Sequence, residues 1–144
     1  VTAENRLIVC PDCRAINRIQ PDRAAQATCG KCKAKVFQST PIELVGSTFD
    51  RHISKTEIPM LVDFYSPTCA PCLMMGPQFD EAAKSLYPLA RLAKIDTTAE
   101  QAIASRFNIA SVPTMIIFKS GKEIARQSGA LLGAEITAWV KKSL

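Results

Sequence analysis

A chain of 144 residues, 47% hydrophobic and 22% charged, with nine prolines and six glycines, is long enough to bury a core and excludes collagenous, low-complexity and disordered classes. Eighteen Lys/Arg stand against thirteen Asp/Glu, and the surplus is N-terminal: residues 1–40 carry seven basic and three acidic residues, residues 41–144 eleven and ten. Four thiolates around one zinc ion would cut the N-terminal surplus by about two, too little charge to argue for nucleic acid. No apolar run approaches the ~18 residues of a membrane span. No secretory h-region lies between Val1 and Cys10, so the expected location is the cytoplasm.

Six cysteines in such a context point to metal or redox chemistry rather than to a disulfide framework, and they fall as three CxxC pairs. Cys10/Cys13 and Cys29/Cys32 lie in a stretch without helical periodicity. There Leu7-Ile8-Val9 leads into the first pair, Ala27-Thr28 into the second, and Val36-Phe37 follows. Each pair is expected on a turn between short extended segments. So few apolar residues cannot offset the entropy of ordering this segment, which needs a staple. The spacing C-x2-C-x15-C-x2-C fits a tetrahedral four-thiolate zinc site with no open coordination position, hence one structural Zn2+. Two disulfides, free thiols or iron are the alternatives. Lys31, Lys33 and Lys35 read as a solvated face. Ser39-Thr40-Pro41 reads as a linker, which divides the chain into a four-cysteine module, 1–40, and a second domain, 41–144.

Beyond the linker the pattern alternates. Ile42–Val45 reads as a strand, and Ser47 as the N-cap of a helix through about Ile53. Met60–Tyr65 is a buried central strand interrupted by one acid, Asp63. A helix follows Cys69, with Met75, Phe79, Ala82, Ala83 and Leu86 on one face and a kink expected at Pro77. Ala90–Ile95 is the next strand. A short helix runs over 99–107 with Thr98 as cap, Met115–Lys119 and Ile124–Gln127 form a hairpin about Ser120-Gly121, and an amphipathic helix carries Leu132, Ile136, Trp139 and Val140. The order β-α-β-α-β-α-β-β-α implies an α/β fold, a mixed central sheet with helices on both faces. His52 is read as surface or packing, away from both cysteine groups, and Trp139 as core; Met74 and Met75 are read as helix packing with a possible contact role near the third pair.

The third pair, Cys69-Ala70-Pro71-Cys72, follows a buried strand and opens a helix. Helix N-terminal amides stabilise an anion, which favours the Cys69 thiolate as nucleophile. Cys72, one turn inside, is placed to resolve a mixed disulfide, and Pro71 is tolerated early in a helix.

Leu61-Val62-Asp63-Phe64-Tyr65, this CxxC, Met75-Gly76-Pro77, Ala93-Lys94, Ser111-Val112-Pro113-Thr114, Phe118-Lys119-Ser120-Gly121 and Ser128-Gly129-Ala130 resemble, in order and spacing, the signatures of the thioredoxin family. The resemblance covers about residues 42–144. With the N-terminal knuckles the whole chain is similar to the thioredoxin-2 type, which carries a small zinc-ribbon-like module ahead of a thioredoxin fold. The resemblance implies a protein-disulfide reductase acting on disulfide-containing proteins and recharged by an NADPH-dependent flavoprotein reductase, without a bound organic cofactor and expected as a monomer. It implies that Asp63 is a buried carboxyl of raised pKa relaying a proton to or from Cys72, with Lys94 as its tuning partner. It also implies a cis Val112–Pro113 bond packed against the cysteines, Val112 backbone groups offered to an extended substrate, and a close substrate approach at Gly129. Thr68, Ala70 and Pro71 complete the expected substrate rim. The chain departs from the family pattern at Thr68 and Tyr65, where Trp is usual, at Ala70 (Gly) and at Leu73 (often Lys). Rival readings are a disulfide oxidase or isomerase using the same chemistry, and a zinc-regulated, redox-responsive binding protein or chaperone.

Overall fold

The computed structural model describes residues 5–144. Val1–Glu4, which belong to the 1–40 segment and to the stretch read for a leader, lie outside the described residues. Two antiparallel strands, β1 (Arg6–Val9) and β2 (Ile16–Ile19), flank the first knuckle. A 3-10 turn over Pro21–Gln26, not expected from the sequence, leads to the second knuckle, which a single antiparallel bridge between Thr28 and Lys35 closes. Ile8, Ile19, Ala24, Val36 and Phe37 bury themselves with Cys10 and Cys29 in a small core that extends onto Ile58 and Tyr87 of the following chain.

The remainder builds one five-stranded mixed sheet in the order β3-β5-β4-β6-β7. Its strands are β3 (Ile42–Leu44), β4 (Met60–Tyr65), β5 (Arg91–Asp96), β6 (Thr114–Lys119) and β7 (Lys122–Ser128). β3 and β4 run parallel to β5, whereas β6 is antiparallel to both β4 and β7. Ser120 and Gly121 take positive φ (52° and 83°) in the β6–β7 turn, the backbone that a tight hairpin requires. Side chains alternate across the strands, so Leu61, Leu92, Met115 and Ile117 face α2 (Ala70–Leu86) and α4 (Gly133–Ser143). Met60, Val62, Phe64, Ile95, Ile116 and Phe118 face the opposite core with α1 (Gly46–Lys55) and α3 (Gln101–Arg106). Met75, Phe79, Ala82, Ala83 and Leu86 are all buried, as the helical spacing requires, and α2 runs unbroken through Pro77. Trp139 packs partly buried against the same cluster.

Both expected helix caps are displaced. The α1 N-cap is Val45, whose carbonyl accepts the Thr48 and Phe49 amides, so Ser47 already lies inside the helix. At α3 the Asp96 carboxylate takes the Thr98 amide (2.9 Å) and hydroxyl (2.6 Å), and the helix starts only after Glu100. Among the described residues, no helix is long and apolar enough to cross a membrane.

The seam between the N-terminal segment and the sheet domain is polar and specific. The Leu7 amide donates to Glu57 Oε1 (2.6 Å), the Glu57 amide donates to the Leu7 carbonyl (2.8 Å), and Arg51 Nε donates to the Arg14 carbonyl (2.6 Å). At its centre Arg91, 5% exposed, donates Nη1 to the Val9 carbonyl (2.6 Å) and Nη2 to the Val36 carbonyl, with its guanidinium 5.1 Å from the Phe37 ring centroid. One buried cation thereby ties together the residue before the first knuckle and a residue beyond the second. His52 is also buried (2%), at this seam: burial first, then the charges of Arg91, Arg14 and Arg51, lower its pKa to about 4. It is a packing residue, as one arm of the sequence reading had it, but it borders the knuckle segment instead of standing apart from it.

Candidate functional site

The two knuckles share one conformation. Cys10 and Cys29 amides donate to the Ala15 and Ala34 carbonyls (both 2.8 Å), while the Arg14 and Lys33 amides donate back to the Cys10 and Cys29 carbonyls (both 3.0 Å). Arg14 and Lys33, each directly after a knuckle's second cysteine, both adopt left-handed backbone (φ 64° and 67°). This folds the sulfurs of Cys10, Cys13, Cys29 and Cys32 to within 4.8 Å of one another. Cys10 Sγ lies 3.6 Å from Cys32 Sγ and Cys13 Sγ 3.5 Å from Cys29 Sγ. Metal–sulfur bonds of ~2.3 Å in a tetrahedron set their sulfurs ~3.8 Å apart, so this cage can hold a metal ion with little adjustment. The Cys32 amide, followed by Asn17 Nδ2 at 3.5 Å, draws the Cys29 thiol down to about 6, towards the thiolate that a ligand must be.

The third pair sits at the far end of the sheet. β4 delivers the chain to Cys69, which is the N-cap of α2, and its Sγ accepts the Cys72 amide at 3.2 Å. A sulfur at the N-terminus of a 17-residue helix, already taking one first-turn amide, faces the positive end of the helix dipole. Cys69 is half-buried, and Cys72, one turn on, is buried. Burial, then the Cys69 sulfur, push the Cys72 thiol up to about 12, with the Asp63 carboxylate adding to the rise. Cys72 thus holds its proton until a base removes it.

That base candidate is beneath it. Asp63 on β4 is 1% exposed, and its Oδ1 has no hydrogen-bond partner. Burial raises its pKa to about 7, against the pull of Lys94 and with the help of Glu43. Lys94 is the β5 register partner of Asp63 but forms no ion pair with it within 4.0 Å among the described residues; its Nζ sits 4.6 Å from the Tyr65 ring centroid instead. Tyr65 in turn donates its hydroxyl to Glu43 Oε1 (2.5 Å). The sequence singled out neither Glu43 nor the tyrosine's hydroxyl, because only the β3–β5 register brings Glu43 alongside Lys94.

The loop before β6 closes the site. Its Val112–Pro113 bond is cis, Pro113 is buried, and Cys69 Sγ lies 3.6 Å from the Val112 carbonyl. The Gly129 amide donates to the Pro113 carbonyl (2.9 Å) with φ at 93°, a conformation that favours glycine, and no atom lies within 4 Å of where a Cβ would stand. Thr68, Ala70 and Pro71 are exposed around Cys69. So are Leu73 and Met74 (63% and 76%), which separates Met74 from its buried neighbour Met75. The structure therefore brings Cys69, Cys72, Asp63, Val112, Pro113 and Gly129 to one end of the sheet, with Lys94 at its flank.

A dithiol at a helix N-terminus, backed by a buried carboxyl on a mixed sheet, defines a thiol–disulfide oxidoreductase. The thioredoxin family profile matches residues 40–142. Thioredoxin C-3 of Corynebacterium nephridii is 37% identical over 139 residues, which cover 96% of this chain and 95% of that protein. Thioredoxin 1 of a Nostoc species is 32% identical over 106 residues, 74% of this chain and 99% of its own. Protein disulfide-isomerase 1 of Caenorhabditis elegans is 41% identical over 102 residues, 69% of this chain but only 21% of that protein. The chain belongs to the thioredoxin family, and its activity is that of a protein-disulfide reductase.

Proposed function

We propose that reduction runs through Cys69 and Cys72 in two displacements. The Cys69 thiolate attacks one sulfur of a substrate disulfide, forming a Cys69–substrate disulfide and expelling the other substrate sulfur as a thiolate. Asp63 takes the Cys72 proton; the Cys72 thiolate attacks Cys69 Sγ, the Cys69–Cys72 disulfide forms, and the second substrate thiolate leaves. Two electrons pass to the substrate. The carrying observation is the stagger of the pair: Cys69 accepts an amide at the helix tip, while Cys72 is buried behind it with a thiol pushed up to about 12. Val112 and Gly129 receive the substrate backbone, Pro113 separates it from the sulfurs, and Thr68, Ala70 and Pro71 form the uncharged rim. Lys94 tunes Asp63.

The oxidised pair is returned to the dithiol by an NADPH-dependent flavoprotein thioredoxin reductase, and the protein works in the cytoplasm as a monomer. Residues 1–40 form a separate module, distinct from the domain 41–144, that holds one Zn2+ through Cys10, Cys13, Cys29 and Cys32. With four protein ligands the ion has no open position and supplies cross-linking, not chemistry. Cys69→Ser abolishes reduction of insulin disulfides, and Cys72→Ser accumulates a covalent mixed disulfide visible by non-reducing electrophoresis; full activity in Cys69→Ser overturns the assignment. A strongly oxidising reduction potential would instead favour the oxidase or isomerase reading.

A further inference from the structure

Three strands place three charges in one row. Glu43 of β3 and Asp63 of β4 are both register partners of Lys94 on the strand between them, β5, so their side chains share one face of the parallel sheet. Asp63 is the buried end of this row and Glu43 the exposed end. The lysine is not committed to Asp63: its ammonium rests over the Tyr65 ring, 4.6 Å from the centroid. The hydroxyl of that same ring is fixed on Glu43 Oε1 at 2.5 Å. Tyr65 therefore contacts both the cation and the outer carboxylate.

We propose that Glu43, anchored by the Tyr65 hydroxyl, is a positioning residue for proton transfer at Cys72, sharing the field of Lys94 with Asp63 so that the Asp63 carboxylate remains basic enough to accept the Cys72 proton. The proposal rests on the reading of Asp63 as the base for Cys72. A buried carboxyl facing a fully devoted ammonium would ionise well below neutrality and become a weak base. A second carboxylate on the far side of the ammonium offsets that pull, and burial is then left to dominate.

The other groups facing Asp63 do not supply this offset in the same way. From α2 come Cys72 and, at its cap, Cys69. From β6 the register neighbour is Met115, which is uncharged. From β5 comes Asp96 beyond Lys94, engaged by the Thr98 hydroxyl and the Thr98 and Ala99 amides, which lower its pKa. Glu43 is the carboxylate in register with the lysine. It lies two strands from Asp63, about 10 Å away, where one unit charge at an intermediate effective dielectric moves a pKa by about half a unit.

The test is direct titration of the Asp63 carboxyl in the reduced, metal-loaded protein. The carboxyl Cγ signal or C=O stretch is followed from pH 4 to 10, with Asp63→Asn as the blank. Glu43→Gln, isosteric and exposed, moves the midpoint acidward by about half a pH unit. Tyr65→Phe keeps the ring over Lys94 and releases Glu43, giving a smaller shift in the same direction. The double variant Glu43→Gln/Tyr65→Phe matches Glu43→Gln alone, because the hydroxyl acts through that carboxylate. An unmoved or alkaline-shifted midpoint in Glu43→Gln, or additive shifts in the double variant, overturns the proposal. Because titration is read without turnover, that failure is distinct from failure of Asp63 as base, which appears as unchanged resolution of the mixed disulfide in Asp63→Asn.

Discussion

Asp63→Asn should make the protein more stable while making it a slower enzyme. The folded chain holds the Asp63 proton up to a pKa of about 7, whereas the unfolded chain releases it near the ordinary 3.8. For an acid whose folded pKa is raised, the unfolded state loses its proton first, so stability falls as pH rises through the window from about 4 to 7 and stays lowered above it. Three units at ~1.4 kcal/mol each put the deficit at about 4 kcal/mol on the alkaline side. Asn cannot ionise and removes it. Urea unfolding of the reduced, metal-loaded wild type and variant at unit intervals from pH 3 to 9 isolates this group, because all other titrations are common to both. The stability difference should be nearly flat at pH 3–4, grow by ~1.4 kcal/mol per unit, and level off above pH 7. A difference independent of pH, or one shrinking as pH rises, refutes the reasoning. On the proposed reading of Asp63 as the base for Cys72, the orphaned Oδ1 and the cost in stability share one explanation, a carboxyl kept unsatisfied so that it can trade a proton.

Arg91→Met should leave the carbonyls of the fully buried Val9 and Val36 without their donor. Two unmet acceptors, set against relief from a buried charge, cost about 3 kcal/mol, or roughly 10 °C in Tm. Calorimetry checks the Tm, and competition with a chromogenic chelator checks metal retention, which should weaken in parallel. Wild-type values for both would show that the guanidinium is a bystander. Stripping the metal with a chelator should expose backbone amides of residues 6–37 to hydrogen exchange while those of β4 and β6 stay protected. Insulin reduction at 25 °C should meanwhile change by less than about two-fold, since the sulfur cage and the dithiol share no contact.

The sheet domain was legible because its strands are apolar runs of the right length and its helices repeat buried residues at helical spacing, as Met75, Phe79, Ala82, Ala83 and Leu86 show. The placement of both CxxC groups was legible for the same local reason: knuckle spacing brings Cys10, Cys13, Cys29 and Cys32 together, and a strand-to-helix junction puts Cys69 at the cap of α2. The caps were not. Ser47 and Thr98 are good N-cap residues, but Val45 turns the chain early at α1 and the Asp96 side chain captures the amides at α3, and neither competition shows in a residue's own propensity. Arg91 lies inside the strand read over Ala90–Ile95, and nothing in its own type marks it as a tie between segments. Its acceptors are backbone carbonyls 82 and 55 residues distant, which no composition encodes. Glu43 becomes informative only through register.

The two sulfur sites lie at opposite ends of the same strands. β4 begins at Met60 and β5 at Arg91, beneath the knuckle segment; both end, at Tyr65 and Asp96, on the side where Cys69 opens α2. Six residues of strand separate these ends by about 17 Å, so the four-cysteine cage does not border the Cys69/Cys72 pair. Coupling between them must pass through the frame. Arg91 supplies a definite route: while the knuckles are folded, the Val9 and Val36 carbonyls meet a buried guanidinium, and when the knuckles open that cation is left in a seam with Phe37 withdrawn. Opening removes both carbonyl acceptors and the Phe37 ring from the guanidinium and admits water to it, so the hydrogen bonds that fasten the start of β5 to the knuckle segment are lost. Loss of the metal should therefore register first in residues 6–37, next at the start of β5 where Arg91 sits, and at the Cys69/Cys72 pair only through the position of Lys94, three residues along the same strand.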